Sequence, residues 1–193
     1  MSTIVNIQSL SLALNGLVSA AGPFGPIQFP LSLQSLITDA LTNGTGARKV
    51  NQAYLVQATL AASASIDYDL YAFGGALDAG QNPYTNATVK LLIFQNLGVP
   101  GAVVEADYIK LGGKGTTAGW TSYFGTNTDT VKILSGPATA VNPNPSPGTH
   151  LIYDAGSTGY VVGASTTNHI LTLTAGANTG ACLYNLLVIG ATA

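Results

Sequence analysis

Short segments of β-forming residues alternate with clusters of chain breakers along most of this chain, and this pattern constrains its fold more than any other feature. In residues 65–70, for example, Ile66, Tyr68 and Leu70 alternate with Asp67 and Asp69, which is the period of a strand with one buried side. The segments with strand character are 50–59, 65–70, 89–96, 102–111, 131–134, 149–153, 160–162, 169–174 and 182–189.

The residues between these segments are rich in Gly, Asn, Thr and Pro, as in 112–115 and 137–147, and most of the 23 glycines and nine prolines belong to connections. Several short strands separated by turns are typical of a sandwich or a barrel. We therefore predict an all-β protein with an antiparallel β-sandwich over residues 41–193, and we favour a jelly-roll arrangement. Residues 89–96 are apolar enough to be buried on both faces.

Residues 1–47 differ from the rest because Asp39 is their only charged residue and three prolines stiffen their middle. Proline removes a backbone donor and fixes φ, so residues 21–30 are excluded from a helix or a central strand. We predict an extended N-terminal arm, or interface segment, over residues 1–40; a loop covering one end of the domain is the alternative. Residues 31–41 fit a helix or a strand, and the all-β context favours a strand.

Charge is scarce, with six basic and eight acidic residues, or 7 % of the chain. An ordinary domain has about 25 %. The scattered basic residues and a net charge of -2 exclude a nucleic-acid-binding protein. No apolar run reaches the roughly 18–20 residues that span a bilayer, so we expect no membrane partner. A weakly polar, nearly uncharged surface indicates a protein that lies against neighbouring molecules.

Two pairs of acidic residues at strand spacing, Asp67 with Asp69 and Glu105 with Asp107, are the first candidates for chemistry. Paired carboxylates can perform acid–base catalysis or bind a hard cation. Such pairs are far more often a solvated strand face, which is our interpretation of both. Cys182 is the only cysteine, so the chain has no internal disulfide and no cysteine cluster for a metal.

His150 and His169 are the only histidines, and no G-x-S-x-G motif accompanies them. The glycine-rich residues 112–117 lack the spacing of a phosphate loop, and we interpret them as a turn. An enzyme needs convergent ionisable residues, which are scarce here. The sequence therefore predicts no catalytic site, no cofactor and no metal.

Aromatic residues cluster in 119–125, where Trp120, Tyr123 and Phe124 lie between two glycines. They could plug the open end of a sandwich, anchor an interface or form a sugar platform. We favour the plug, and the other two interpretations stay open. The candidate interface residues of the whole chain are Pro23, Phe24, Pro26, Phe29, Trp120, Tyr123 and Phe124.

The order of several segments resembles a known family. The segments are NGTGARKVNQ (43–52), TLAASASIDYDL (59–70), VKLLIFQN (89–96), GWTSYFG (119–125), TDTVKIL (128–134), GTHLIYDA (148–155), TGYVV (158–162) and LYNLLVIG (183–190). Over residues 40–191 the chain is similar to the small structural proteins of tailed bacteriophages that decorate, or cement, capsids. The resemblance implies a β-sandwich, a shell-binding role and no cofactor, and it supplies no catalytic residue.

We therefore expect a virion structural protein that binds the outer surface of a bacteriophage capsid and stabilises it. Its partner would be the major capsid protein of the same virion. We also expect a homo-oligomer. A trimer is favoured because all three copies can then use the same contact surface around a threefold axis. The protein would be made in the host bacterial cytoplasm and located on the capsid surface. The alternative is a tail-associated or receptor-binding module that recognises carbohydrate near Trp120.

Overall fold

The structure is a computed structural model, and it describes residues 7–22, 25–43, 46–73, 84–85, 88–100, 107–112, 114–136, 147–154, 159–163 and 167–191. Within these residues the elements are β1 (Ile7–Gly22), β2 (Gly25–Asn43), β3 (Lys49–Val50), β4 (Gln52–Leu60), β5 (Ser65–Asp69), β6 (Ala72–Phe73), β7 (Tyr84–Thr85), β8 (Thr88–Gly98), β9 (Tyr108–Gly112), α1 (Thr121–Phe124), β10 (Thr130–Leu134), β11 (Gly148–Tyr153), β12 (Tyr160–Val161), β13 (Ile170–Ala175) and β14 (Cys182–Ala191). No helix among the described residues is long and apolar enough to cross a membrane.

Two antiparallel sheets form the body of the molecule, and they confirm the predicted all-β class. The five-stranded sheet has the order β11-β8-β14-β4, with β12 also paired to β8. The four-stranded sheet has the order β10-β9-β13-β5. One apolar cluster takes buried side chains from both, including Phe94 and Leu186 from the first sheet and Leu111 and Leu173 from the second. The jelly-roll arrangement stays a prediction.

Strand alternation decides which side chains enter this core. In β14, Tyr184, Leu186 and Val188 are fully buried, whereas the intervening Asn185 and Leu187 are half-buried. Because successive side chains of a strand point to opposite faces, each sheet has a core side and an outer side. The outer sides of the two packed sheets are therefore the surfaces that can contact other molecules.

The alternation predicted for β5 is confirmed in part. Tyr68 and Leu70 are buried and Asp67 is exposed. Ile66 is exposed although it lies on the core side, because β5 is the last strand of its sheet and Ile66 is close to its beginning. A residue at the corner of a sheet has too few neighbours to cover it.

The sandwich is closed on one side where β10 approaches β11. Asn96, buried in β8, donates from Nδ2 to the carbonyl oxygen of Ile133 at 3.0 Å. Gly148, the first residue of β11, lies so close to Leu134 that a Cβ atom there would stand 1.7 Å from its carbonyl oxygen. A glycine is thus required at this corner because the two backbones touch.

The N-terminal strands form a separate three-stranded sheet with the order β1-β2-β3. β1 and β2 are antiparallel, and β2 runs parallel to β3 at Thr42 and Asn43. Residues 31–41 are strand, as the all-β context predicted. Pro26 and Pro30 lie opposite Ala21 and Leu17 of β1, in a strand whose described partner at these positions is β1 alone. The boundary of an arm at residue 40 stays a prediction.

Candidate functional site: the outer face of the five-stranded sheet

Three rows of residues cross the outer side of the five-stranded sheet, and we call them together the neutral face. The register aligns each row across the strands β4, β14, β8 and β11, except that the third row contains no described side chain from β4. The rows are Gln57, Asn185, Gln95 and Thr149; Leu55, Leu187, Ile93 and Leu151; and Ile189, Leu91 and Tyr153. None of these residues carries a charge.

The first row is a chain of amides. Gln57 donates from Nε2 to Oδ1 of Asn185 at 2.9 Å, and Asn185 donates from Nδ2 to Oε1 of Gln95 at 3.1 Å. Cross-strand pairs of this kind fix the orientation of each side chain. The row therefore presents a line of oriented, uncharged hydrogen-bonding groups.

The second row is aliphatic and partly open to solvent. Leu55 is 60 % exposed, and Ile93, Leu151 and Leu187 are half-buried. The first two rows line a shallow depression of about 520 Å³, formed by Leu55, Gln57, Ile93, Gln95, Asn185 and Leu187. In the third row Leu91 and Ile189 are buried in a small cluster with Val50. The neutral face thus combines an apolar groove with a polar border.

The outer side of the four-stranded sheet has the opposite character. Lys110 and Lys132 are exposed there, and the ammonium of Lys132 lies 4.1 Å from the ring centre of Tyr108. Lys114, in the loop after β9, pairs with Asp67 at 2.6 Å. The rows of the neutral face therefore carry no charge, whereas the four-stranded sheet carries exposed ions. The exposed Arg48 and Lys49 precede Val50, which packs on the third row.

Asp67 is held by its neighbours on this charged side. Thr172 donates from Oγ1 to its carboxylate at 2.7 Å, in addition to the ion pair with Lys114. Partial burial raises the pKa of Asp67, but the two hydrogen bonds and the Lys114 charge outweigh it, so that the pKa is lowered. Asp67 is an exposed acid, as its alternation with Tyr68 predicted, and the structure adds its salt bridge with Lys114.

Asp107 corrects our interpretation of the second acidic pair. We placed it on a solvated strand face, but it is only 1 % exposed. Thr179 satisfies its carboxylate with the backbone N–H at 2.8 Å and the hydroxyl at 2.9 Å. A buried carboxylate needs such donors, and here a distant loop supplies them. Its predicted partner Glu105 lies outside the described residues.

The aromatic residues predicted as a cluster do come together, at the end of the sandwich near α1. Trp120 has no exposed surface, and its Nε1 donates to the carbonyl oxygen of Val161 at 3.0 Å. Phe124 is buried beside it, and half-buried Tyr123 contacts Tyr160 with ring centres 5.3 Å apart. An indole without exposed surface cannot present its face to a sugar.

The remaining candidate interface residues are in the N-terminal region. Pro26 and Phe29 lie in β2, where the structure describes the backbone. Pro23 and Phe24 lie outside the described residues. Their assignment to an interface stays a prediction.

The ionisable groups of the described residues do not converge on a reaction centre. No group of three or more His, Cys, Asp or Glu residues among them could hold a metal ion. Burial and, secondarily, Asp107 raise the pKa of Cys182 to about 11, so its thiol is protonated at neutral pH. His150 is half-buried, which lowers its pKa, and it pairs with the hydroxyl of Tyr123 at 3.0 Å.

The neutral face is the surface that sequence reasoning missed. Residues 89–96 were interpreted as buried on both faces, whereas Ile93 and Gln95 are only half-buried on the outer side. The available signal was the absence of charge at alternate positions of 55–59, 91–95 and 183–189. It could not be used without the strand order that brings these segments together.

Comparison with known proteins gives no match for this chain among protein-family models, curated proteins or solved structures.

Proposed function

We propose that this protein is a virion structural protein that binds the outer surface of a bacteriophage capsid and stabilises it. The neutral face is directed toward the major capsid protein, and the charged four-stranded sheet faces the solvent. The segregation of charge between the two outer sides is the observation that carries the proposal. The order of the segments that resemble capsid decoration proteins supplies the identity of the partner.

The chemistry of the neutral face suits a permanent protein interface. Interface cores are depleted in charged residues, and their hydrogen bonds orient the partner. The groove beside Leu187 can take an apolar ridge, and the amide row that contains Asn185 can pair with polar backbone. Salt weakens such contacts little, because dissolved ions screen interactions between charges and these contacts contain no charges. A shell protein exposed to variable salt benefits from this composition.

The charged side complements this arrangement. Lys110, Lys132 and the pair of Lys114 with Asp67 keep the opposite surface hydrated. Charged surfaces limit association between particles. One side of the protein would thus bind the shell while the other keeps decorated particles apart.

Leu187→Lys tests the proposal at the centre of the neutral face. An ammonium there must be desolvated on binding, so we expect at least about a tenfold loss of affinity, or about 1.4 kcal/mol. The measurement is the occupancy of the variant on purified capsids that lack the protein. Thr174→Lys is the matched control, since Thr174 is also half-buried and lies on the central strand of the opposite sheet.

A melting curve of each variant shows that it is folded before capsids are added. Gln95→Lys in the amide row provides a second variant should Leu187→Lys destabilise the sheet. Wild-type occupancy of both neutral-face variants would contradict the proposal, as would loss of binding by Thr174→Lys alone.

A carbohydrate-binding module is the second candidate, and the half-buried side chains at the end of the sandwich favour it. Tyr123, Tyr160 and His150 lie together there with part of their surface open. Partly exposed aromatic rings can stack on sugars. A glycan array with the purified protein tests this candidate: specific binding that Tyr123→Ala abolishes would support it over the first.

A further inference from the structure

Among the described residues, the five-stranded sheet ends in an edge strand that neither another strand nor a charged residue protects from pairing. β4 is the last strand of that sheet, and within the described residues β14 is its only strand partner. Its nine residues, Gln52–Leu60, contain no charge and no proline. Its register with β14 is continuous, without a bulge. Natural edge strands usually carry at least one of these features, because an open edge is a template for another strand.

Among the described residues, the other long edge strands of the sandwich are blocked, and the remaining edge strand, β12, has only two residues. β5 carries Asp67 and Asp69, and β10 carries Lys132. β11 abuts β10 where Gly148 approaches Leu134. The absence of protection is therefore particular to β4 and does not follow from the low charge of the chain as a whole.

Burial along β4 agrees with an edge that no described strand covers. Val56 and Ala58 pack against the core but remain half-buried. Leu186, which lies opposite Val56 on β14, is completely buried, as is Val188. Core-side residues of an edge strand stay partly exposed when no further strand lies on its free side, which here is the side of β4 opposite β14.

The N-terminal hairpin offers a complementary edge. β1 contains no proline and no charge, and among the described residues it pairs with β2 alone. β2 is a poorer edge, because Pro26 and Pro30 each lack a backbone donor and its end is paired with β3. Within the described part of the chain, β3 pairs only with Thr42 and Asn43 at the end of β2, so an additional strand along β1 would stabilise the hairpin further.

The register of the hairpin also suits addition to a sandwich. At most positions apolar residues lie opposite apolar residues and polar residues lie opposite polar ones; Leu10 opposite Asp39 is an exception, and the register is irregular between Leu12 and Leu14. The apolar pairs include Leu12 with Ile37, Leu14 with Leu33 and Val18 with Phe29, and the polar pairs include Ser11 with Thr38 and Ser19 with Gln28. A hairpin with this pairing can extend the edge of a neighbouring sheet.

The connection between hairpin and sandwich leaves the open edge of β1 on the side away from β3. The hairpin is joined at β3, and Asn51, next in the chain, donates its N–H to the carbonyl oxygen of Gly190 in β14. β2 lies between β1 and β3, so the open edge of β1 faces away from its own β3. The 16 residues of β1 extend about 50 Å at roughly 3.3 Å per residue, which is enough to reach a neighbouring copy.

We propose that β1 of one copy adds to the open edge of β4 in a second copy, so that the five-stranded sheet continues into the neighbour's hairpin. The contact joins two different surfaces, and repeating it in a head-to-tail manner gives a ring if the rotation between copies closes and a filament if it does not. Main-chain hydrogen bonds supply the affinity, as in other strand additions. The assembly forms without a capsid, so this inference stands independently of the proposed function.

Hydrogen exchange of the full-length protein tests the backbone pairing. We expect sedimentation to show an oligomer that dissociates on dilution. Amides in both β4 and β1 should exchange at least tenfold more slowly in the oligomer than in the dilute protein. Amides in the blocked edge strands β5 and β10 should show no such change. A full-length chain that stays monomeric at about 100 μM would overturn the proposal, because an open edge of this length is expected to pair.

The pattern of hydrogen exchange also identifies which strand adds to the edge of β4. Slowed exchange in β4 without slowed exchange in β1 would exclude β1 as the added strand and overturn the proposal. Unchanged exchange in β4 of an oligomeric protein would place the interface elsewhere and overturn it equally.

Ala58→Lys tests the same edge with a single side chain. In the monomer the lysine can extend past the open edge into water, because long side chains reach solvent with their charged ends. An added strand would trap the ammonium, so we expect at least tenfold weaker association. Ser65→Lys, an exposed position on β5, is the matched control and should associate normally. Unchanged association of a folded Ala58→Lys protein would contradict the proposal.

Discussion

Trp120 shows what a single residue contributes to this fold. It fills the end of the sandwich, with no exposed surface and rings of Tyr123, Phe124 and Tyr160 around it at centre distances of 6.1–6.2 Å. Its indole N–H also satisfies the carbonyl oxygen of Val161. One side chain thus ties α1 to β12 by both packing and a hydrogen bond.

Trp120→Ala should destabilise the protein by about 3–5 kcal/mol, because it leaves a large cavity among the neighbouring rings. Thermal or urea unfolding measures the change. Tyr160→Phe, which keeps the ring and removes a hydroxyl, is the control and should change stability much less. A melting temperature unaffected by Trp120→Ala would show that the residue does not fill the core.

At the scale of elements, the contact between β10 and β11 closes the sandwich. It depends on the backbone of Gly148 lying against the carbonyl oxygen of Leu134. Asn96 joins the same corner through its bond to Ile133. A residue with a side chain cannot make this contact, because its Cβ atom at position 148 would overlap the carbonyl oxygen of Leu134.

Gly148→Ala should therefore force β11 away from β10 and destabilise the fold by about 1–3 kcal/mol, the usual cost of overpacking. Chemical unfolding of the purified variant provides the measurement. Thr149→Ala, at the exposed neighbouring position, should be nearly neutral. Equal stabilities of the two variants would mean that the corner is not closely packed.

Local sequence patterns predicted the strands, whereas the burial and the neighbours of individual residues depend on tertiary contacts. The alternation of residues 65–70 and the breakers between strands were sufficient for the all-β class and for the exposure of Asp67. The burial of Asp107 was not predictable, because its donor Thr179 is 72 residues away in the sequence. The neutral face was hidden for the same reason: Gln57, Asn185 and Gln95 become neighbours only through the strand order.

The whole molecule has two unlike sides, and among the described residues the edges of β4 and β1 are open. The neutral face carries no charge, the four-stranded sheet carries exposed ions, and β4 ends the first sheet without protection. Each of these surfaces therefore suits a different kind of contact. In our account the neutral face binds the shell, the charged side meets the solvent, and the edge of β4 joins neighbouring copies. The scarcity of charge then follows from how much of the surface is used for contacts.

An electron cryomicroscopy map of native virions, at a resolution that places the two sheets, tests this account most directly. We expect density for the protein on the outer surface of the capsid, with the neutral face on the major capsid protein and the four-stranded sheet facing outward. Virions that contain the protein with its four-stranded sheet against the shell, or capsids on which it is absent, would contradict the account.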